Sequence, residues 1–166
     1  EYLSPSQMYV SDNRMILIAN SWNYSIMPME EIGIMPRMWH PGFHQNRTLV
    51  QIYNISDRSN PRLARELKLD GNHVSSRRVG DTLYLVLNDS KYDYARAYDE
   101  DIDGLELLPR FNDSAEDNEE LFLADCEDVR YFPRTRGVNY VIATAIPLDS
   151  NDDIEAEVMV GNGQNI

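Results

Sequence analysis

The chain has 166 residues, enough for one domain with a buried core, and its 42% apolar content excludes a disordered or fibrous protein. Its 28 acidic and 15 basic residues leave a net charge of −13, which repels phosphate backbones and argues against a nucleic-acid partner. No apolar run approaches the roughly 18 residues of a membrane span, so we expect no span in this chain.

The first predicted elements are strands. The turn residues Ser11-Asp12-Asn13 lead into the apolar run Met15–Ala19, which predicts a hairpin over about residues 8–20. A dense apolar strand follows over 48–55. Between Leu63 and Leu69 apolar and polar residues alternate, which is typical of a strand with one face in water.

The same order of a hairpin, a dense apolar strand and an alternating strand is then repeated. Gly80-Asp81 predicts the turn of a second hairpin, over about 73–88, and leads into the apolar run Leu83–Leu87. A dense strand is predicted over 139–147 and an alternating one over 154–160. Leu83 lies 68 residues after Met15, whereas Tyr140 lies 91 residues after Leu49. The second copy therefore contains an acidic insertion before its third strand.

This pattern predicts an all-β fold of two consecutive four-stranded antiparallel sheets, the blades of a larger β-propeller. Blade one covers about residues 7–70 and blade two about 71–162, within one propeller fragment over 1–166. Inner strands of a propeller blade are covered on both faces, and the outermost strand has one face exposed to solvent. An independent β-sandwich is the alternative. Because two blades cannot close a ring, we expect the fragment to self-associate or to pack as a sandwich in isolation.

Five segments carry a resemblance to a known family: Val50–Asn88, Leu108–Ser114, Cys126–Pro133, Asn139–Asp149 and Val158–Ile166. They resemble secreted bacterial and archaeal proteins with a C-terminal β-propeller domain that is distantly related to the WD-repeat propellers. The resemblance implies an extracytoplasmic location, secreted or at the cell surface, and a propeller longer than this chain. It implies no catalytic residues, so it leaves the function open.

The acidic insertion contains a possible calcium loop. Asp99, Asp101 and Asp103, followed by Gly104, match the first positions of such a loop, but Arg110 stands at its twelfth position, where a glutamate belongs. A solvated acidic loop without metal is the alternative. We expect no other cofactor.

Two long loops, over residues 22–47 and 89–138, are predicted to carry the contacts of a binding scaffold, because propellers recognise ligands with loops on rigid sheets. The predicted contact residues are large and apolar or aromatic, with one histidine. They are Trp22, Met35, Met38, Trp39, His40, Phe43, Tyr92, Tyr94 and Tyr98. Methionines of the first loop could instead fill a hydrophobic gap or bind copper.

Three smaller expectations concern single residues. His73, Ser75 and Arg77 are predicted to share one face of an innermost strand, and Cys126 to be partly buried. Five Asn-x-Ser/Thr sequons are predicted in loops, where an exported protein could carry glycans. They begin at Asn23, Asn46, Asn54, Asn88 and Asn112.

The motifs of the common catalytic and metal sites are absent from the sequence, so an enzyme is the less favoured interpretation. The sequence favours a noncatalytic extracytoplasmic scaffold that binds a protein or a surface glycan. One alternative is a hydrolase-type enzyme whose active site spans blades that this chain lacks. The other is a structural module stiffened by calcium.

Overall fold

The structure, a computed structural model, describes residues 2–25, 43–90, 104–131, 139–149 and 151–161. These residues form eleven strands and two short 3-10 helices, at Gly104–Leu107 and Ser114–Glu116, with no α-helix among them. The strands are β1 (Tyr2–Ser11), β2 (Arg14–Ser25), β3 (Phe43–Asn54), β4 (Arg62–Asp70), β5 (Asn72–Val79), β6 (Thr82–Ser90), β7 (Arg110–Asp113), β8 (Glu120–Phe122), β9 (Arg130–Tyr131), β10 (Asn139–Pro147) and β11 (Glu155–Gly161). None of the described helices is long and apolar enough to cross a membrane.

The strands form two sheets in which the predicted repeat is confirmed. The first sheet has the order β1-β2-β3-β4-β7-β8 and the second β5-β6-β10-β11-β9. Met15–Ala19 and Leu83–Leu87 lie in β2 and β6, the second strand of each sheet, with antiparallel partners on both sides. The dense strands β3 and β10 stand third, and the alternating strands β4 and β11 stand fourth. The sheets have six and five strands instead of four, because the insertion contributes three more.

A single core lies between the sheets, which pack face to face as adjacent blades do. Ile16 and Ile18 of β2 project from the first sheet and are at most 2% exposed. Leu83, Leu85 and Leu87 of β6 project from the second and are at most 1% exposed. Both sets belong to one buried hydrophobic cluster. The alternation of buried and partly exposed residues along β6 and β10 shows that their other faces point away from this core.

Described parts of the 89–138 segment are not a loop, which corrects that prediction. β7 pairs antiparallel with β4, so the inserted segment extends the first sheet although it follows the second hairpin in sequence. β8 pairs with β7, and residues 123–129 then cross to the second sheet, where β9 runs parallel to β11. We call residues 104–131 the rim clasp, since they connect the outer edges of both sheets.

A buried ion pair fixes the rim clasp to both blades. Arg65 of β4 is 3% exposed and Asp113 of β7 is fully buried. The Arg65 Nη2 atom lies 2.5 Å from Asp113 Oδ2, and its Nε lies 3.1 Å from both carboxylate oxygens. The same guanidinium donates to the carbonyl oxygen of Asp152 at 3.0 Å and, more weakly, to that of Pro147 at 3.4 Å. Arg65 therefore links the first sheet, the clasp and the β10–β11 turn of the second sheet.

One glycine joins the two blades. Gly71, between β4 and β5, has φ +100°, and a Cβ there would lie 3.0 Å from the carbonyl oxygen of Asn88. Its N–H donates to the carbonyl oxygen of Asn46 at 2.9 Å, and its own carbonyl accepts from the Thr48 hydroxyl at 2.9 Å. A residue with a side chain would fit neither this backbone conformation nor the space.

Candidate functional site

The two long connections of the chain begin and end at the same end of the two sheets. Ser25 pairs with Phe43 where β2 ends and β3 begins, and Ser90 pairs with Asn139 where β6 ends and β10 begins. Gly71, which connects the blades, lies at this end as well, because Asp70 pairs with Arg47 and Asn72 pairs with Asn88. We call this end of the sheets the loop face. At this end both long connections join their sheets.

An exposed aromatic pair lies at the loop face. Trp22, one of the predicted contact residues, is 38% exposed in β2. Tyr2 of β1 stands opposite it in the register and is 68% exposed. Tyrosine and tryptophan offer a large apolar surface with a polar tip and are common in recognition surfaces. Sequence reasoning missed Tyr2, although the aromatic residue at the start of an extended segment was visible.

Most other predicted contact residues lie outside the described residues. Phe43 is the first residue of β3, and its side chain lies outside the described part of the structure. The remaining ones outside are Met35, Met38, Trp39, His40, Tyr92, Tyr94 and Tyr98, together with the calcium-loop residues Asp99, Asp101 and Asp103. Within the described part of the chain, no group of three or more His, Cys, Asp or Glu residues could hold a metal ion.

A network around Arg47 supports the loop face. Arg47 of β3 is mostly buried and donates through Nε to Asp70 at 3.0 Å, through Nη1 to Asn112 at 2.8 Å and through Nη2 to Glu120 at 2.6 Å. Arg110 donates to the other oxygen of Glu120 at 2.8 Å. These hydrogen bonds join β3 and β4 to two strands of the clasp, β7 and β8. Charged groups therefore cross-link β3, which follows the first long connection, to its neighbouring strands.

Glu120 is held as a carboxylate by this network. Hydrogen bonds from Arg110 and then Arg47 lower the pKa of Glu120. The guanidinium of Arg110 also lies over the ring of Phe122, 5.0 Å from its centroid. Because the partners of Arg47 lie 23 to 73 residues away in sequence, no local spacing could predict the network.

Polar contacts between the blades lie on the innermost strands. The Ser6 hydroxyl lies 3.1 Å from Nδ1 of His73, and the hydroxyls of Tyr9 and Ser76 are 2.8 Å apart. Burial lowers the pKa of His73. Its Nε2 atom is buried without a hydrogen-bond partner among the described residues.

The predicted common face of His73, Ser75 and Arg77 is wrong. A β-bulge between His73 and Ser75 shifts the register, so His73 lies opposite the core residue Leu87 and Ser75 lies opposite Val86. The bulge reverses the side-chain alternation from that point on. His73 therefore faces the first blade, while Ser75 and Arg77 face away from it.

Two further predictions about single residues are wrong. Cys126 is exposed, because it lies in the crossing segment of the clasp and outside the core. The five sequon asparagines lie in strands and not in loops: Asn23 in β2, Asn46 and Asn54 in β3, Asn88 in β6 and Asn112 in β7.

Two face-to-face sheets, each built on four antiparallel strands in the same order from inside to outside, define the chain as blades of a β-propeller. The family model described as a beta propeller domain matches residues 1–166, and the chain belongs to this family. No curated protein and no solved structure matches it.

Proposed function

We propose that the chain is a noncatalytic scaffold that binds a protein or a surface glycan at its loop face. The observation that carries the proposal is the exposed pair of Tyr2 and Trp22 at the end where both long connections leave the sheets. Recognition residues placed where connections leave a rigid sheet are a common arrangement for binding. The Arg47 network supports the proposal, since it keeps the base of this surface in a fixed geometry.

The scaffold acts outside the cytoplasm in this proposal. The support is the similarity of the five quoted segments to secreted propeller proteins. A single cysteine agrees with either compartment, so it gives no preference. Protease treatment of intact cells of the source organism tests the location: the chain is degraded if it is outside, and it survives until lysis if it is inside.

The binding test compares aromatic residues in two places. Trp22→Ser and Tyr2→Ser remove the loop-face pair, whereas Tyr84→Ser removes an aromatic residue of similar exposure, 48%, on the outward face of the second sheet. The tagged full chain is applied to a printed glycan array and to intact cells with a cross-linker. We expect the Trp22 and Tyr2 variants to lose at least about tenfold in binding, as is typical of central aromatic contacts, and Tyr84→Ser to bind like the native chain.

A second variant distinguishes binding by the aromatic pair from binding by the connection beside it. Residues 26–42 are replaced by Asn-Gly, which can join the paired residues Ser25 and Phe43 in a tight hairpin. Unchanged far-UV circular dichroism and melting temperature establish that each variant is folded. The proposal is overturned if the native chain binds neither glycans nor cells, or if the folded variants bind as well as the native chain.

The outward face of the first sheet supports the prediction that the isolated chain associates with itself. Met8 and Val10 of β1 are each 58% exposed and pair with Leu17 and Met15 on the outward face of the first sheet. Neighbouring exposed apolar side chains are typical of an interaction surface, so we expect a second copy of the chain to bind through this face. Sedimentation equilibrium tests this: Met8→Lys with Val10→Lys shifts the mass towards the monomer, and an unchanged monomer mass for the native chain would contradict it.

A further inference from the structure

An apolar cleft lies at the rim between the outer edges of the two sheets. It encloses about 460 Å³, within the range of about 300–1,000 Å³ in which ligand sites usually fall. Phe111 and Leu121 of the rim clasp form one wall, and Ile154, before β11, forms the other. Phe111 and Leu123 are 7% and 6% exposed, so the apolar floor is continuous with the core.

Three carboxylates surround the cleft, each from a different element. Glu116 comes from the 3-10 helix at Ser114–Glu116, Asp125 from the crossing segment and Asp153 from the β10–β11 turn. The described residues include no lysine or arginine that pairs with any of the three. Arg110 lies over Phe122 nearby, but its guanidinium is paired with Glu120. The negative potential of the cleft is therefore not neutralised by the clasp itself.

The rim clasp strengthens this potential. Residues 104–131 contain nine acidic and two basic residues. The two basic ones, Arg110 and Arg130, pair with Glu120 and Glu157, both outside the lining of the cleft. Carboxylates around a cleft with an apolar floor focus the field and attract ligands of the opposite sign. An apolar floor beneath uncompensated carboxylates is complementary to a cation with an apolar body.

We propose that the rim cleft binds a basic peptide segment in which an apolar side chain is flanked by lysine or arginine. The apolar side chain enters between Phe111 and Ile154, and the flanking cations reach the carboxylates of Asp125 and Asp153 at the mouth. The carboxylates stand apart and form no cluster suited to a metal among the described residues, whereas a peptide spans several points of contact. The cleft is separate from the loop face, so this inference does not depend on the function proposed above.

The test uses three short capped peptides and the full chain. Ac-Lys-Leu-Lys-amide has the proposed chemistry, Ac-Lys-Gly-Lys-amide lacks the apolar group, and Ac-Glu-Leu-Glu-amide has the opposite charge. Amide chemical shifts of the ¹⁵N-labelled protein locate the bound peptide. We expect Ac-Lys-Leu-Lys-amide to shift the amides of Leu121–Asp125 and of Ile154–Ala156, and the other two peptides to bind at least about threefold more weakly.

Neutral variants of the carboxylates test the role of charge. Asp125→Asn and Asp153→Asn keep the side-chain shape at exposed positions, so they preserve the fold. Glu127→Gln is the matched control, since it removes an equal charge two residues from Asp125 but outside the lining. An exposed ion pair corresponds to about two- to five-fold in affinity, so the double variant weakens the Lys-Leu-Lys peptide by about four- to twenty-five-fold, and the control by less than about twofold.

Three results would overturn the inference. The first is the absence of shifts in the cleft at millimolar Ac-Lys-Leu-Lys-amide. The second is equal binding of the glycine or the glutamate peptide, which would show that apolar contact or charge has no part. The third is equal weakening by Glu127→Gln and by Asp125→Asn, which would reduce the effect to the general charge of the chain.

Discussion

The substitution Arg65→Met tests how the rim clasp is fixed. It removes a guanidinium that is 3% exposed and leaves Asp113, fully buried, as a carboxylate without its cation. Breaking a buried ion pair from one side costs about 3–5 kcal/mol, because the remaining charge stays out of water. Methionine fills a similar volume, so the cost comes from electrostatics and from the lost hydrogen bonds to Asp152 and Pro147, with little contribution from a cavity.

This cost is large compared with the stability of an ordinary domain, about 5–15 kcal/mol. For a chain of this size, each kcal/mol lowers the melting temperature by about 2–4 °C, so we expect a decrease of about 6–20 °C. The double variant Arg65→Met with Asp113→Asn should recover much of the loss, because an amide is far less costly to bury than a carboxylate. The Asn side chain can still accept the hydrogen bond from the Ala115 N–H.

Urea unfolding followed by circular dichroism gives the free energies. Arg62→Met is the control, since Arg62 is exposed on the same strand, and it should change the free energy of unfolding by less than about 0.5 kcal/mol. The reasoning is refuted if Arg65→Met costs less than about 1 kcal/mol, or if the double variant is as unstable as the single one.

Two other substitutions test the connection between the blades. Since burial lowers the pKa of His73, the unfolded chain binds a proton first as the pH falls through about 6.5, and the folded state loses stability over the interval below that value. The native chain should therefore lose more stability between pH 7.5 and 5 than His73→Gln does, and parallel profiles would contradict this. Gly71→Ala should cost about 1–3 kcal/mol, because its Cβ would lie 3.0 Å from the Asn88 carbonyl oxygen at a positive φ. Gly80→Ala, also at positive φ but with nothing within 4 Å, should cost less, about 1 kcal/mol; thermal melts that rank the two the other way would contradict the structure.

The repeated blade could be predicted from sequence because its signals are local. The run Leu83–Leu87 is apolar at each position, and its alternate leucines face the core while Tyr84 on the other face is exposed. From Arg65 to Leu69 the alternation likewise reflects a strand that is buried on one side, whereas Leu63, beyond a shift in register, is 49% exposed. Both patterns depend on neighbours two residues apart, which the sequence shows directly.

The pairing of the insertion could not be predicted in this way. Arg110–Asp113 is a short strand whose partner, β4, lies more than 40 residues earlier in the chain. Its pairing depends on the ion pair between Arg65 and Asp113, which are 48 residues apart. A composition dominated by acidic residues therefore indicated a solvated loop where the structure has an edge strand.

Only part of the loop face can be found from the sequence, for a similar reason. Trp22 was visible as a large aromatic residue at the start of a long connection, and it is exposed at the loop face. Its partner across the register, Tyr2, and the supporting network of Arg47 depend on pairings between distant strands. The rim cleft has walls from two sheets and a crossing segment, so no single stretch of sequence contains its pattern.

Cross-strand backbone NOEs of the full chain test the equivalence of the two blades most directly. We expect the amides and Hα protons of Met15–Ala19 to have NOE partners in both β1 and β3, and those of Leu83–Leu87 to have partners in both β5 and β10. NOEs that place either run at a sheet edge, or pair the two runs with each other, would contradict it.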